Sequence, residues 1–301
     1  MAQTFSSLSH RTTGILSITG AVALLSFSDA LVKAMGDTFG LAQLVLLRSA
    51  VAVLAIVIWA ALMDLSTRTA WAPWVWVRSL CMTAMCLCYY SALPAMSLAL
   101  AAVFYYTAPM WMAVLSRLLL KDPVSSVQWG AIALSLLGVV LSLSPGTGAL
   151  SPIVALPLAA GFFYALSAIV TWSRCARVSP PAMALNLNVT LLTAGGAGVA
   201  VLALIDPQSE SFALAVWPTL TPRDWALVGA LGLLLAVITV GVAKAYRLAP
   251  APIVGVFDTA YLIFAALWGL MIFGEIPTPW QALGMTLIAI GALLTSRQAQ
   301  T

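Results

Sequence analysis

Three charged side chains stand inside long apolar runs of this 301-residue chain: Asp29, Arg48 and Asp258. Asp258 lies in VGVFDTAYLIFAALWGLMIFGE, residues 254–275. As a helix, that run would carry the acid ~10 Å below its start. A carboxylate at such depth in hydrocarbon costs on the order of 2.5–3.5 kcal/mol, so it must face water, a partner or a solute. A plain capping or pairing role would also satisfy it. Asp29 precedes Lys33 by one helical turn, and the two can pair on one face for ~0.2–0.5 kcal/mol. Lys33 can instead snorkel outward as an interfacial anchor. Arg48 keeps its charge in any surroundings. Asp29 is its simplest partner, ahead of direct contact with an anionic solute group.

Aromatic residues surround these charges in the sequence. Tyr90, Tyr105, Tyr106 and Trp111 stand in the first half, Tyr164 and Tyr261 in the second, with Tyr89, Phe104, Phe163, Phe257 and Trp268 nearby. Many membrane aromatics only pack or mark the interface. Several rings beside one or two carboxylates suit a flat or zwitterionic solute. Pro109 has no N–H, so it leaves the Tyr105 carbonyl without a helical partner and predicts a kink there.

The elements that must position these residues follow from composition. The chain is 62% hydrophobic and 7% charged, with mean hydropathy +1.06. A soluble domain carries roughly 25% charged residues, so this is an integral, all-α membrane protein. Its net charge of +4 is scattered singly between apolar runs, which excludes a nucleic-acid surface. Cys81, Cys86, Cys88 and Cys175 lack zinc-ligand spacing and read as packing residues. No metal or cofactor is expected. There is no GxxxxGK[ST] loop, no GxSxG, no HExxH, and one histidine, His10, so the residues for an enzyme are missing. The run behind MAQTFSSLSHRTT shows no A-x-A cleavage signature and reads as a retained first span.

Runs near the ~20 residues a spanning helix needs fall at 14–35, 40–63, 74–96, 98–120, 127–144, 152–173, 183–205, 224–247, 251–273 and 279–296. Ten spans place both termini on one side. With those termini cytoplasmic, the inner segments hold Arg11, Arg68, Arg78, Arg117, Lys121, Arg174, Arg177, Lys244, Arg247 and Arg297, and the outer ones only Lys33 and Arg223. That bias sets the orientation. TAGGAG at 193–198 suits close helix contact.

The chain also repeats itself. At a shift of 153 residues, Val103-Phe104 falls on Val256-Phe257, Tyr105 on Asp258, Asp122 on Glu275, Ser125 on Thr278, Gln128 on Gln281 and Gly138 on Gly291. At a shift of 141, Gly20 meets Gly161, Ser26 meets Ser167 and Lys33 meets Arg174. Two five-span units, 14–148 and 149–296, are expected between cytoplasmic tails 1–13 and 297–301. An odd span count inverts the second unit, and inverted repeats place a solute site at the midplane between halves that can rock.

LKDPVSSVQWGAIALSLLG at 120–138 and FGEIPTPWQALGMTLIAIG at 273–291 resemble the drug/metabolite transporter superfamily, in its ten-span branch of two EamA-type repeats. LLSFSDALVKAMG at 24–36, followed by Arg48, is similar to a sub-group with riboflavin and S-adenosylmethionine carriers. The resemblance implies a basket of helices about a central cavity. Lys121-Asp122 departs from the family's usual Gly-Glu.

Together these point to a secondary carrier of a small organic metabolite in a bacterial-type inner membrane, working by alternating access, with protons as a candidate coupling ion. A passive facilitator of the same architecture and a non-transporting membrane subunit are the alternatives. The bilayer and a small-molecule solute are the expected partners. The site residues expected are Asp258, Asp29, Arg48, Tyr90, Tyr105, Tyr106, Trp111, Tyr164 and Tyr261, with the kink at Pro109.

Overall fold

A computed structural model describes residues 2–36, 38–121, 125–142, 152–175, 177–207, 211–248, 254 and 257–298. Among them every regular element is helical. The main helices are α1 (Ala2–Ala34), α2 (Leu41–Leu62), α3 (Pro73–Ala92), α4 (Leu98–Tyr105), α5 (Ala108–Leu115) and α6 (Ser126–Ser142), then α7 (Ala155–Arg174), α8 (Pro180–Ile205), α9 (Pro222–Leu248), α10 (Tyr261–Phe273) and α11 (Pro279–Gln298). Asp122, Val256 and the 143–151 connection lie outside the described residues.

Among the described residues, six segments are long and apolar enough to cross a membrane: Thr12–Ala34, Leu41–Leu62, Leu98–Leu120, Pro152–Thr171, Pro180–Ile205 and Pro222–Val242. The other four expected spans fall on α3, α6, α10 and α11, which are shorter or more polar. Large apolar side chains such as Leu54, Val140, Leu204 and Ile263 are exposed, and so are Trp74, Trp225 and Trp280 near helix starts. This is the surface of a multi-pass membrane protein with interfacial tryptophans. The first helix begins at Ala2, earlier than expected, because residues 2–13 hold no Pro or Gly to stop it.

The fourth expected span is interrupted. α4 ends at Tyr105 and α5 starts at Ala108, with Pro109 in its first turn. The Thr107 hydroxyl donates to the Phe104 carbonyl at 2.8 Å. Gly161 of α7 fits against this break, since a Cβ there would lie 2.7 Å from the Tyr105 oxygen. The second half breaks at the matching place without proline: Phe257 and Asp258 are helical, Thr259 and Ala260 turn, and α10 begins at Tyr261.

Other local structure recurs at the same 153-residue spacing. Lys121 and Gly274 are both left-handed, at φ 61° and 65°, and each terminates its helical segment. Ser125 with Gln128 and Thr278 with Gln281 form reciprocal capping boxes, with backbone N–H to Gln Oε1 distances of 2.8 and 2.9 Å. α1 packs on α9, α2 on α8, α3 on α7, α4 on α10, and α6 on α11. Between α6 and α11 the glycines make the contact: a Cβ on Gly138 would meet the Gly284 backbone, and one on Gly291 would meet the Ala131 carbonyl.

Candidate functional site

Six of the seven tyrosines in the chain form one ring cluster, five of them buried and Tyr164 partly so. Tyr89 and Tyr90 come from the end of α3, Tyr105 and Tyr106 from the break after α4, Tyr164 from α7, and Tyr261 from the start of α10. Tyr105 stands at the centre, with ring centroids 5.4 Å from Tyr89, 5.1 Å from Tyr106, 5.4 Å from Tyr164 and 6.5 Å from Tyr261. Centroids at such separations and tilted planes are favourable aromatic geometry. The two helix breaks bring these rings together, because each turns a backbone segment toward the other half.

Both acids sit in this cluster. Asp29, 2% exposed, accepts from the Tyr90 hydroxyl at 2.9 Å and from the Tyr261 hydroxyl at 2.5 Å. Since the Tyr261 proton is committed to Asp29, the 2.8 Å contact between the Tyr89 and Tyr261 hydroxyls has Tyr89 as donor. The Asp258 carboxylate faces the hydroxyls of Tyr164 and Tyr106. The Tyr106 hydroxyl also donates to the Asp258 backbone carbonyl at 2.8 Å. That carbonyl is accessible because Leu262 N–H bonds Thr259 across the break. Asp29 is thus held by two phenols, and hydrogen bonds to an ionised acceptor are the stronger kind, whereas Tyr106 ties down Asp258 through its backbone carbonyl.

Arg48 is 1% exposed and makes no ion pair with Asp29, contrary to the simplest sequence expectation. Its guanidinium lies 4.4 Å above the Tyr90 ring and donates to the Cys86 sulfur at 3.1 Å. Tyr90 therefore stands between the two charges, with its face toward Arg48 and its hydroxyl on Asp29. Such stacking is worth up to about 2 kcal/mol in a desolvated site. Cys86, read from sequence as packing, is also a polar neighbour of Arg48.

Lys33 pairs with Glu275 and not with Asp29. Its ammonium donates to the Met96 carbonyl at 2.8 Å and sits 4.8 Å from the Phe273 ring, while Glu275 Oε2 accepts from Leu98 N–H at 3.0 Å. Lys33 is only 10% exposed, so the structure makes it a clamp joining α1, the α4 entry and the α10 exit, and not a free interfacial anchor. No spacing in the sequence links positions 242 residues apart. Trp111 stands apart from the tyrosines, packed on Phe162 at 5.4 Å, and Trp268 stacks on Phe27 at 4.9 Å.

A many-helix membrane bundle with buried acids, a buried arginine and a ring-lined centre has the features of a solute carrier. The chain belongs to the EamA-like transporter family, which matches residues 12–144 and 151–297 and is of drug/metabolite transporter type. It is 23% identical to the pseudopaline exporter CntI of Pseudomonas aeruginosa over 285 residues, 94% of this chain and 96% of that one. Riboflavin transporters of Vibrio cholerae and Rhizobium johnstonii match at 28% and 29%, over 61% and 64% of this chain. Those alignments span 57% and 59% of the riboflavin transporters' own length. A protein of known crystal structure shares the fold at TM-score 0.67 and 18% identity, over 96% of this chain and 99% of its own.

Proposed function

We propose that the protein is a secondary carrier of a small organic metabolite, moving by alternating access between two five-helix halves of opposite orientation. The observation that carries this is the cluster itself: Asp29 and Asp258 are held by phenols drawn from both halves of the chain. If the halves rock, Tyr261 must leave Asp29, and Tyr106 must leave Asp258. A solute bearing N–H or ammonium groups can take over those carboxylates while its flat part stacks among the released rings. Riboflavin-like, S-adenosylmethionine-like and amino-acid solutes fit that description, and two relatives' names, riboflavin transporter and pseudopaline exporter, are consistent with it.

The acids take different roles in this reading. Arg48 balances Asp29 through Tyr90, whereas among the described residues the groups acting on Asp258 are Tyr164 and Tyr106. Asp258 is the acid that exchanges its partner for solute or proton. Both termini lie in the cytoplasm, in a bacterial-type inner membrane, as the Lys/Arg asymmetry implies.

Proteoliposomes test this with a metabolite panel, with and without an imposed pH gradient. Accumulation of one solute driven by the gradient, lost in Asp258→Asn at normal expression, is the expected result. Downhill flux that ignores the gradient identifies a facilitator instead. Failure to move any panel member contradicts the carrier reading.

A further inference from the structure

Two arginines meet at the end of the bundle where α3 begins and α7 ends. Three cross-helix contacts fix the register there. The Arg174 guanidinium of α7 lies 4.8 Å from the centroid of the Trp74 ring of α3. One turn further in, Arg78 Nε donates to Thr171 Oγ1 at 3.0 Å. A turn beyond that, the Ser167 hydroxyl donates to the Met82 sulfur at 3.1 Å. Positions 74, 78 and 82 of α3 thus face 174, 171 and 167 of α7, as antiparallel helices require. Arg78 and Arg174 stand one turn apart across a single seam.

Neither guanidinium has an acid among the described residues, where the one ion pair is Lys33 with Glu275. Segments 63–80 and 173–185 hold Arg68, Arg78, Arg174 and Arg177 against one acid, Asp64, which is exposed. Thr171 is a neutral acceptor whose own proton goes to the Ser167 carbonyl at 2.7 Å. Arg78 Nη1 is buried without a partner, which leaves Nη2 as the accessible donor of that guanidinium. An arginine so placed keeps its charge and calls for an anion.

The seam opens onto the lipid-facing side of α3. Trp74, Val77 and Leu80 are exposed in a strip beside Arg78. Trp71, also exposed and 5.9 Å from Trp76, extends an aromatic belt of the kind that marks headgroup depth. Arg78 lies ~6 Å deeper than Trp74 along the helix axis, and its long side chain can reach back to that level. A soluble anion would use the charges and leave the apolar strip uncovered. A phospholipid uses both, with its phosphate on Arg78 and Arg174 and an acyl chain along Val77 and Leu80. A zwitterionic headgroup would bring an ammonium beside two guanidinia, so net negative charge is favoured. Basic pockets between membrane helices take such headgroups. We propose that this α3–α7 seam is a binding site for an anionic phospholipid. It does not depend on the carrier reading.

The test uses the intact protein in detergent, with binding read as a rise in Tm on adding lipid. Phosphatidylglycerol should raise Tm at several-fold lower concentration than phosphatidylcholine. Arg78→Gln and Arg174→Gln should each need about fivefold more phosphatidylglycerol for the same rise, the loss of one cation at headgroup level. Arg174 is exposed, so its variant reads the site even where Arg78→Gln fails to fold. Arg223→Gln, beside exposed Trp225 at the start of α9, should leave the lipid response unchanged. Equal response to the two lipids overturns the proposal, and so does an equal loss in Arg223→Gln. A matching rise with inorganic phosphate alone, lost in the Arg78 and Arg174 variants, would overturn it in favour of a soluble anion.

Discussion

At the scale of single residues, Tyr261 bears the heaviest load, since its hydroxyl donates to Asp29 while accepting from Tyr89. Tyr261→Phe should cost about 1.5–3 kcal/mol, the range for a bond to a charged group, and Tyr89→Phe only about 0.5–1.5 kcal/mol. Unfolding midpoints in detergent check the order, and equal losses would place the Asp29 contact elsewhere. Arg48→Gln leaves Asp29 ionised beside a neutral Tyr90, whereas Asp29→Asn with Arg48→Gln removes both charges. The double variant should unfold at a higher temperature than Arg48→Gln alone; additive losses would show that the two charges are not coupled through Tyr90. The sequence exposed Asp29, Arg48 and Asp258 because a charge inside an apolar run is rare enough to need a reason. It did not expose how they are paired. Asp29 and Tyr261 are 232 positions apart, and the stacking of Tyr90 between Arg48 and Asp29 depends on where α2 crosses α3.

At the scale of elements, the break at Pro109 was legible because it is local, a ring without an N–H, whereas the Ser125–Gln128 and Thr278–Gln281 pairs were legible only as a repeat and not as capping boxes. The break at Thr259–Ala260 was not legible, since no proline or glycine marks it and only the match to Tyr106–Thr107 betrays it. The left-handed cap gives a direct prediction. Lys121 adopts φ 61° where its counterpart is Gly274, and an L side chain pays roughly 1–2 kcal/mol for that conformation. Lys121→Gly should raise Tm by a few degrees, and an unchanged or lower Tm would mean that Lys121 makes a compensating contact. Glu275→Ala should do the opposite, because it strips Lys33 of its partner and Leu98 N–H of its cap at once. A loss of about 1–3 kcal/mol is expected, read as a lower unfolding temperature.

At the scale of the molecule, each helix of the first half packs on one of the second, and exchanging the halves leaves the main pairings in place: α1 with α9 answers α3 with α7, while α2·α8, α4·α10 and α6·α11 map onto themselves. A site between two such halves can open toward either face by one motion run in two senses. That reading requires the halves to be inverted, and Lys121 and Ile276 report on it because they follow equivalent helix ends, with Ile276 77% exposed. The decisive measurement is labelling of Lys121→Cys and Ile276→Cys by a membrane-impermeant maleimide in sealed cells and inverted vesicles, each against the parent chain. Ile276→Cys should react only from outside and Lys121→Cys only from the cytoplasmic face. Reaction of both from the same face would contradict the inverted architecture and the carrier mechanism built on it.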